Sequence, residues 1–299
     1  MNNLYKELFN FDVKDIKKIS INKNEIYNQL LLYIFFTCKK NILLVMPTLN
    51  DATLVYNELK SYLDEVYILP EDDVITKKSI ASSPELLFMR ANILNKINDK
   101  NKKIVISHLN SYIRKYPSKK SFESNKINLK INQKINRDEL VSKLVDIGYK
   151  RESVVYEVSD FAVRGFVVDI FPINESNPVR IEFFDDEIEK IKYFDMISQK
   201  SINDIDSICI NSIKDDFGNN NCSIRDYFDD GLVLYSDFNQ IIEQEKMIQP
   251  QLKYLDIVSD LYKVKELISE NDIYIDTINN KNCDLKIESK SIEKFNKRN

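Results

Sequence analysis

The sequence predicts an α/β protein that is interrupted by a smaller α+β domain, and three observations support this prediction. Short apolar runs alternate with helical patterns over the first 116 residues, which is typical of a parallel sheet covered by helices. Residues 153–201 carry alternating strands joined by turn residues, which indicates an antiparallel sheet. After residue 221, the alternation of strands and helices resumes.

The first part of the chain supplies the parallel sheet. Buried strands are predicted from the apolar runs at 42–46, 66–69 and 104–106. Helical spacing of apolar residues predicts helices over 24–37, 48–63, 83–94 and 107–116. The second of these helices has Asn50 or Asp51 available as its N-cap.

The middle of the chain reads as a separate α+β unit. Residues 117–125 are rich in Ser and Lys and predict a linker, and a strand follows at 128–131. Asn136 and Glu139 have capping-box spacing, and Gly148 is placed to end the helix that they open. The runs 179–184 and 187–194 alternate around Asp185-Asp186, which predicts a hairpin.

The last part of the chain returns to the α/β pattern after a polar stretch at 215–221, which predicts a domain boundary. A short helix is predicted at 224–228, strands at 232–235 and 273–275, and a longer helix at 237–249. The predicted domain limits are therefore 1–120, 121–213 and 214–299, and the final segment includes the start of a C-terminal linker.

Composition narrows the classes of function. The net charge of -4 gives no overall basic field of the kind that general nucleic-acid binders carry. The four cysteines are widely spaced, so neither a zinc site nor a disulfide framework is predicted, and the single histidine, His108, is expected to be structural. The N-terminus lacks the pattern of a signal peptide, and the longest apolar run is too short for a membrane span. We expect a cytoplasmic protein with no contact with a membrane.

One stretch of about fifty residues resembles a known family. The pieces FAVRG, VVDIFP, PVRIEFFDDEIEKIKYFD and SQKS occur between residues 161 and 201. Their order and spacing resemble the module shared by the transcription-repair coupling factors and the excision-repair helicase subunit UvrB. UvrB proteins tend to have an arginine two positions before the arginine of FAVRG, and here that position is Ala162. The resemblance to the coupling factors is therefore the closer one.

The resemblance implies a fold for the first domain and the loss of its nucleotide site. In the related helicase this domain is RecA-like, and a glycine-rich loop ending in Gly-Lys-Thr holds the nucleotide and magnesium. The corresponding residues 20–25 read SINKNE, contain no glycine, and follow Lys23 with Asn24. We therefore expect a degenerate RecA-like domain without a bound cofactor and without catalysis. ATP and magnesium would belong to the family's motor domains, beyond residue 299.

The resemblance also implies a partner, the damage-sensing protein UvrA, and places arginines that contact it at Arg151 and Arg164. Guanidinium groups suit this role because they pair with two oxygens of a carboxylate and keep their charge. Arg164 could instead form an ordinary surface ion pair with Glu152, Asp160 or Glu182. The neighbouring candidates for the same surface are Phe161, Gly165, Phe166 and Arg180. Gly165 is expected to form either a bulge or bend, or a plain turn, and the two phenylalanines either anchor a partner or fill the core.

These expectations give one function and three alternatives. The chain is interpreted as an N-terminal module that recruits UvrA, and in such factors RNA polymerase and double-stranded DNA are bound by domains beyond residue 299. A direct role in DNA binding is the first alternative, although the interval 70–83 is short and contains no aromatic residue that could enter DNA as in UvrB. An ATPase with an unorthodox loop is the second. A purely structural or autoinhibitory module is the third.

Overall fold

The computed structural model describes residues 9, 11–21, 26–72, 74–75, 80–81, 83–97, 99, 101–214, 221–254, 261–278 and 281–288. The strands are β1 Lys18–Ile21, β2 Ile42–Met46, β3 Val66–Ile68, β4 Val74–Ile75, β5 Ile80–Ala81, β6 Ile104–His108, β7 Ile127–Lys130, β8 Lys150–Arg151, β9 Asp160–Arg164, β10 Val167–Ile170, β11 Val179–Phe184, β12 Glu187–Phe194, β13 Ser201–Ile205, β14 Ser207–Ile210, β15 Leu232–Ser236, β16 Ile273–Asp276 and β17 Leu285–Ile287. The α-helices are α1 Tyr27–Thr37, α2 Leu49–Lys60, α3 Pro84–Ile97, α4 Leu109–Ile113, α5 Lys119–Ser124, α6 Arg137–Asp146 and α7 Phe238–Tyr254. Short 3-10 helices cover Val13–Asp15, Ile224–Phe228 and Val264–Glu266.

The chain divides into two compact units. The first unit consists of Met1–Ala81, Asp99–Lys115 and Ser223–Asn299, and the second consists of Ser82–Asn98 and Tyr116–Cys222. The chain therefore leaves the first unit and later returns to it. The predicted fold class, a RecA-like α/β core with an inserted α+β domain, is confirmed. The limits assigned above to each domain remain predictions, and α3 groups with the second unit.

The first unit is built on a seven-stranded sheet in the order β17-β1-β16-β15-β2-β6-β3, and its recorded strand pairs are parallel. Its central strand β2 reads ILLVM, and all of its residues are buried. A run without polar residues suits a strand that helices cover on both faces. The returning strands β15 and β16 lie between β1 and β2, so the last part of the chain completes the core of the first part.

One helix cap in the first unit differs from the prediction. Helix α2 is capped by Thr48, whose hydroxyl accepts a hydrogen bond from the backbone N–H of Asp51 at 3.1 Å. Asp51 is the third residue of this helix, and its carboxylate accepts a bond from the Thr48 hydroxyl at 2.7 Å. The cap therefore lies two or three residues before the predicted Asn50 or Asp51, because Thr48 still has extended backbone angles.

The second unit contains a six-stranded sheet in the order β13-β12-β11-β10-β9-β8. Neighbouring strands are antiparallel except β8 and β9, which are parallel. The predicted hairpin is confirmed, because Phe184 pairs with Glu187 across a turn in which Asp185 has a φ of 56°. Strand β7 pairs with β14 in a separate two-stranded sheet, which the sequence did not predict.

The predicted linker at 117–125 was wrong, because most of this stretch forms helix α5. Ser118 caps the helix by accepting a hydrogen bond from the backbone N–H of Ser121 at 3.0 Å. Phe122 on its inner side is fully buried. The single aromatic residue anchors a stretch whose composition is otherwise that of a linker, and burying a phenylalanine stabilises by about 2 kcal/mol.

Helix α6 begins and ends near the predicted residues. Asn136 is its N-cap, and its side-chain oxygen accepts from the N–H of Asp138 at 2.9 Å. Glu139 pairs with Lys143 at 2.6 Å, and in the part of the chain described here its side chain has no recorded bond to Asn136. Asn136 therefore caps the helix through its second residue, and within the described residues neither bond of the predicted capping box is recorded. Gly148 follows the helix with a φ of 100°, which confirms that it ends the helix in a conformation that favours glycine.

Candidate partner-binding site

The hairpin of β9 and β10 presents Arg164, Gly165 and Phe166 at its tip. Arg164 pairs with Val167, which leaves Gly165 and Phe166 as a two-residue turn. Gly165 has a φ of 58°, and Phe166 is not among the residues with positive φ, which is the pattern of a type II′ turn. The pairing of β9 with β10 is continuous, so Gly165 forms a plain turn and not a bulge. The side chains of Arg164 and Phe166 are both exposed to solvent at this turn.

Arg164 is exposed, and its guanidinium is not neutralised by a nearby acid. Its Nη2 donates to the backbone carbonyl of Ser153 at 3.3 Å, and no ion pair of Arg164 is recorded among the described residues. The three acids that were considered as partners have other bonds. Glu152 pairs with Lys150, Glu182 pairs with Lys192, and Asp160 accepts from two backbone N–H groups. The charge of Arg164 is therefore available to a partner.

Arg151 lies on the same edge of the sheet as Arg164. It belongs to the two-residue edge strand β8 and pairs in register with Phe161 of β9. Its side chain is exposed, and within the described ranges it has no recorded ion pair. The carbonyl that Arg164 contacts is that of Ser153, two residues beyond Arg151. The fold thus brings the two predicted arginines to one margin of the second unit.

Phe161 and Arg180 do not face solvent as freely as the other candidates. Phe161 is 0% exposed and lies inside the second unit, so it supports the sheet beneath the tip. Arg180 donates to both carboxylate oxygens of Asp169, at 2.7 and 2.8 Å, and lies 4.5 Å from the centre of the Phe194 ring. The hydrogen bonds with Asp169 raise the pKa of Arg180 above its usual value. Both side chains are therefore engaged within the second unit, and their contact with a partner stays a prediction.

Two residues at this end of the sheet were missed by the sequence analysis. Arg137, the first residue of α6, donates from Nη1 to the carbonyl of Gly165 at 2.5 Å. Phe184, at the end of β11, is 75% exposed, and Phe166 at the neighbouring tip is 66% exposed. The alternation of Val179, Ile181 and Phe183 toward the core already indicated that Phe184 points outward. No local pattern pointed to Arg137, because its contact joins residues far apart in sequence.

The predicted degenerate nucleotide loop of the first unit, residues 20–25, is described only in part. Residues 22–25, including Lys23 and Asn24, lie outside the described residues. Helix α1 begins directly after them with Tyr27, which is buried and donates from its hydroxyl to the sulfur of Met46 at 3.7 Å. Burial raises the pKa of Tyr27.

His108, which was expected to have a structural role, is buried in the first unit. His108 ends β6, and its Nε2 is 3.9 Å from a carboxylate oxygen of Glu71. Burial lowers the pKa of His108, so the ring is held neutral at physiological pH. Across the described ranges and their gaps, no group of three or more metal-ligating side chains comes together. In the same residues, no helix is long and apolar enough to cross a bilayer.

The family model of the UvrB interaction domain matches residues 127–215, and this range includes every candidate at the tip. Residues 127–215 are therefore similar to a UvrB interaction domain. Transcription-repair-coupling factors are similar to a longer part of the chain. The factor of Bacillus subtilis is 32% identical over 178 residues, and that of Staphylococcus haemolyticus is 33% identical over 179 residues. Each match covers 59% of this chain and 15% of the relative.

The chain therefore spans about 15% of the length of these coupling factors. The range that matches the UvrB interaction domain accounts for most of the second unit, including β7 to β14 and helix α6. It also contains Arg137, Arg151 and Arg164. The resemblance read from the sequence motifs is confirmed by both comparisons.

Proposed function

We propose that this chain is the N-terminal module of a transcription-coupled repair factor and that its UvrB interaction domain recruits UvrA. The observation that carries the proposal is the unpaired guanidinium of Arg164 at an exposed hairpin tip within that domain. Charged groups exposed on a rigid turn are suited to pairing with carboxylates of a partner. Binding of RNA polymerase and of DNA is assigned to other parts of such factors.

The direct test is calorimetry of the chain with purified UvrA from the same organism. We expect a saturable, one-to-one interaction that weakens with added salt, because exposed charges contribute to the attraction. A parallel titration with a short DNA duplex serves as the control for direct nucleic-acid binding. DNA binding without UvrA binding would contradict the proposal, and binding of neither would favour a structural or autoinhibitory role.

We further propose that the first unit binds no nucleotide. The sequence between residues 20 and 25 has no glycine, so its backbone cannot wrap phosphates as a glycine-rich loop does. We expect 1 mM Mg-ATP to leave the melting temperature of the chain unchanged relative to Mg²⁺ alone. A nucleotide present at a hundred times its Kd would raise the free energy of unfolding by about 2.7 kcal/mol. The melting temperature would then rise by several degrees. A rise of that size would revive the ATPase alternative.

A further inference from the structure

The first residue of helix α6 contacts the hairpin tip with one hydrogen bond and holds its neighbour Asp138 with two. Arg137 donates from Nη1 to the carbonyl of Gly165 at 2.5 Å. The other side of the same guanidinium donates from Nε and Nη2 to the carboxylate of Asp138, at 3.2 and 3.0 Å. Because a guanidinium is planar, the bonds to Asp138 fix the direction of the bond to Gly165. One arginine thereby joins the start of the helix to the tip.

The tip has few other supports. An added Cβ at Gly165 would meet no atom within 4 Å, so this residue packs against nothing on that side. The carbonyl of Phe166 accepts from the N–H of Phe183 at 2.9 Å, which ties the turn to β11. The bond from Arg137 is a side-chain contact that restrains the turn between Arg164 and Phe166.

The start of α6 also contacts the second turn at this end of the sheet. The side-chain amide of Asn136 donates to a carboxylate oxygen of Asp186 at 2.9 Å. Asp186 lies in the turn that follows the exposed Phe184. Two adjacent residues of one helix thus connect the two turns that carry Phe166 and Phe184.

We propose that Arg137 is a positioning residue of the UvrA-binding surface, which holds Arg164 and Phe166 in one arrangement before the partner arrives. The inference rests on the proposed function for the identity of the partner. The surface that results has a guanidinium beside two exposed phenylalanines, and it fits a partner surface with carboxylates next to an apolar patch. Holding the turn in place lowers the entropy that is lost on binding, so its release weakens binding.

The test compares Arg137→Ala and Arg137→Lys with Lys143→Ala, a control on the same helix whose side chain is exposed and pairs only with Glu139 among the recorded ion pairs of the described residues. Two quantities are measured: the Kd for UvrA, and the NMR order parameters of the Gly165 and Phe166 amides in the free chain. We expect Arg137→Ala to raise the Kd about tenfold and to lower both order parameters. Arg137→Lys retains a donor and should recover most of the affinity, and Lys143→Ala should match the wild type.

A double variant tests whether Arg137 acts on binding through the turn that carries Arg164. Combining Arg137→Ala with Arg164→Ala should weaken binding by less than the product of the two single effects, because both act on the same turn. Multiplicative effects together with unchanged order parameters would mean that Arg137 contacts UvrA directly, and this result would overturn the positioning role. Unchanged affinity and unchanged order parameters would overturn it as well.

Two further outcomes are separable. If the wild-type chain does not bind UvrA, the proposed function fails, and the order parameters of the free chain alone decide whether Arg137 holds the tip. If Arg137→Ala does not fold, Arg137→Met takes its place, because methionine keeps an aliphatic stem and donates no hydrogen bond. A Met variant with wild-type order parameters would overturn the inference.

Discussion

Replacing Arg164 by Glu is expected to weaken UvrA binding at least about thirtyfold, which corresponds to about 2 kcal/mol. The wild-type guanidinium is exposed, and within the described part of the chain it is not engaged by a carboxylate. Reversal of its charge would place a carboxylate against the acidic groups that we propose on the partner. The Kd is measured by calorimetry, with circular dichroism to confirm that the variant is folded.

Lys190→Glu is the matched control for this change. Lys190 is exposed on β12, three strands away from Arg164 in the same row of paired residues, or about 14 Å at the usual strand spacing. The control changes the net charge by the same amount and should reduce affinity only slightly. Equal losses in both variants would indicate a general charge effect, and unchanged binding in Arg164→Glu would place the contact surface elsewhere in the chain.

Replacing Arg180 by Ala is expected to destabilise the second unit by about 3 kcal/mol. The carboxylate of its partner Asp169 is only 3% exposed, so removal of the guanidinium leaves a buried charge without compensation. The variant also loses the contact with the Phe194 ring. Urea unfolding followed by circular dichroism measures the loss, and Lys190→Ala, which removes an exposed cation, should change stability by less than 0.5 kcal/mol.

The same variant distinguishes a structural role for Arg180 from an interface role. Because the side chain is committed to Asp169, the folded fraction of Arg180→Ala should bind UvrA with nearly the wild-type Kd. Loss of affinity in a variant that retains full stability would be the opposite result, and it would return Arg180 to the binding surface.

Much of the fold could be predicted because its signals are local. Strand β2 is an unbroken apolar run, and β11 alternates residue by residue, so period and composition were sufficient to assign both. Gly148 ends α6 where a positive φ requires glycine. The prediction for residues 117–125 was wrong because the signal for their helix is not local. Its composition is polar, and the burial of Phe122 that orders it depends on packing that no local pattern reveals.

The candidate site was predictable only in part. Arg164 was identified through a motif, but the sequence could not tell whether Glu152, Asp160 or Glu182 neutralised it. That question depends on which acids have other partners in three dimensions. Phe161 was grouped with the tip because it flanks Arg164 in sequence, and Arg180 because it lies on the polar face of a strand. The structure buries Phe161 and pairs Arg180 with the buried Asp169. Arg137 was missed because the residue that it contacts is 28 positions away.

The longer segment of the second unit begins and ends at the same place. The backbone groups of Tyr116 and Cys222 bond to each other in both directions, at 2.7 and 3.0 Å. A domain whose two ends meet can be accommodated in a surface loop of another fold, since the host chain continues almost where it stopped. Such a domain can be inserted into different host folds.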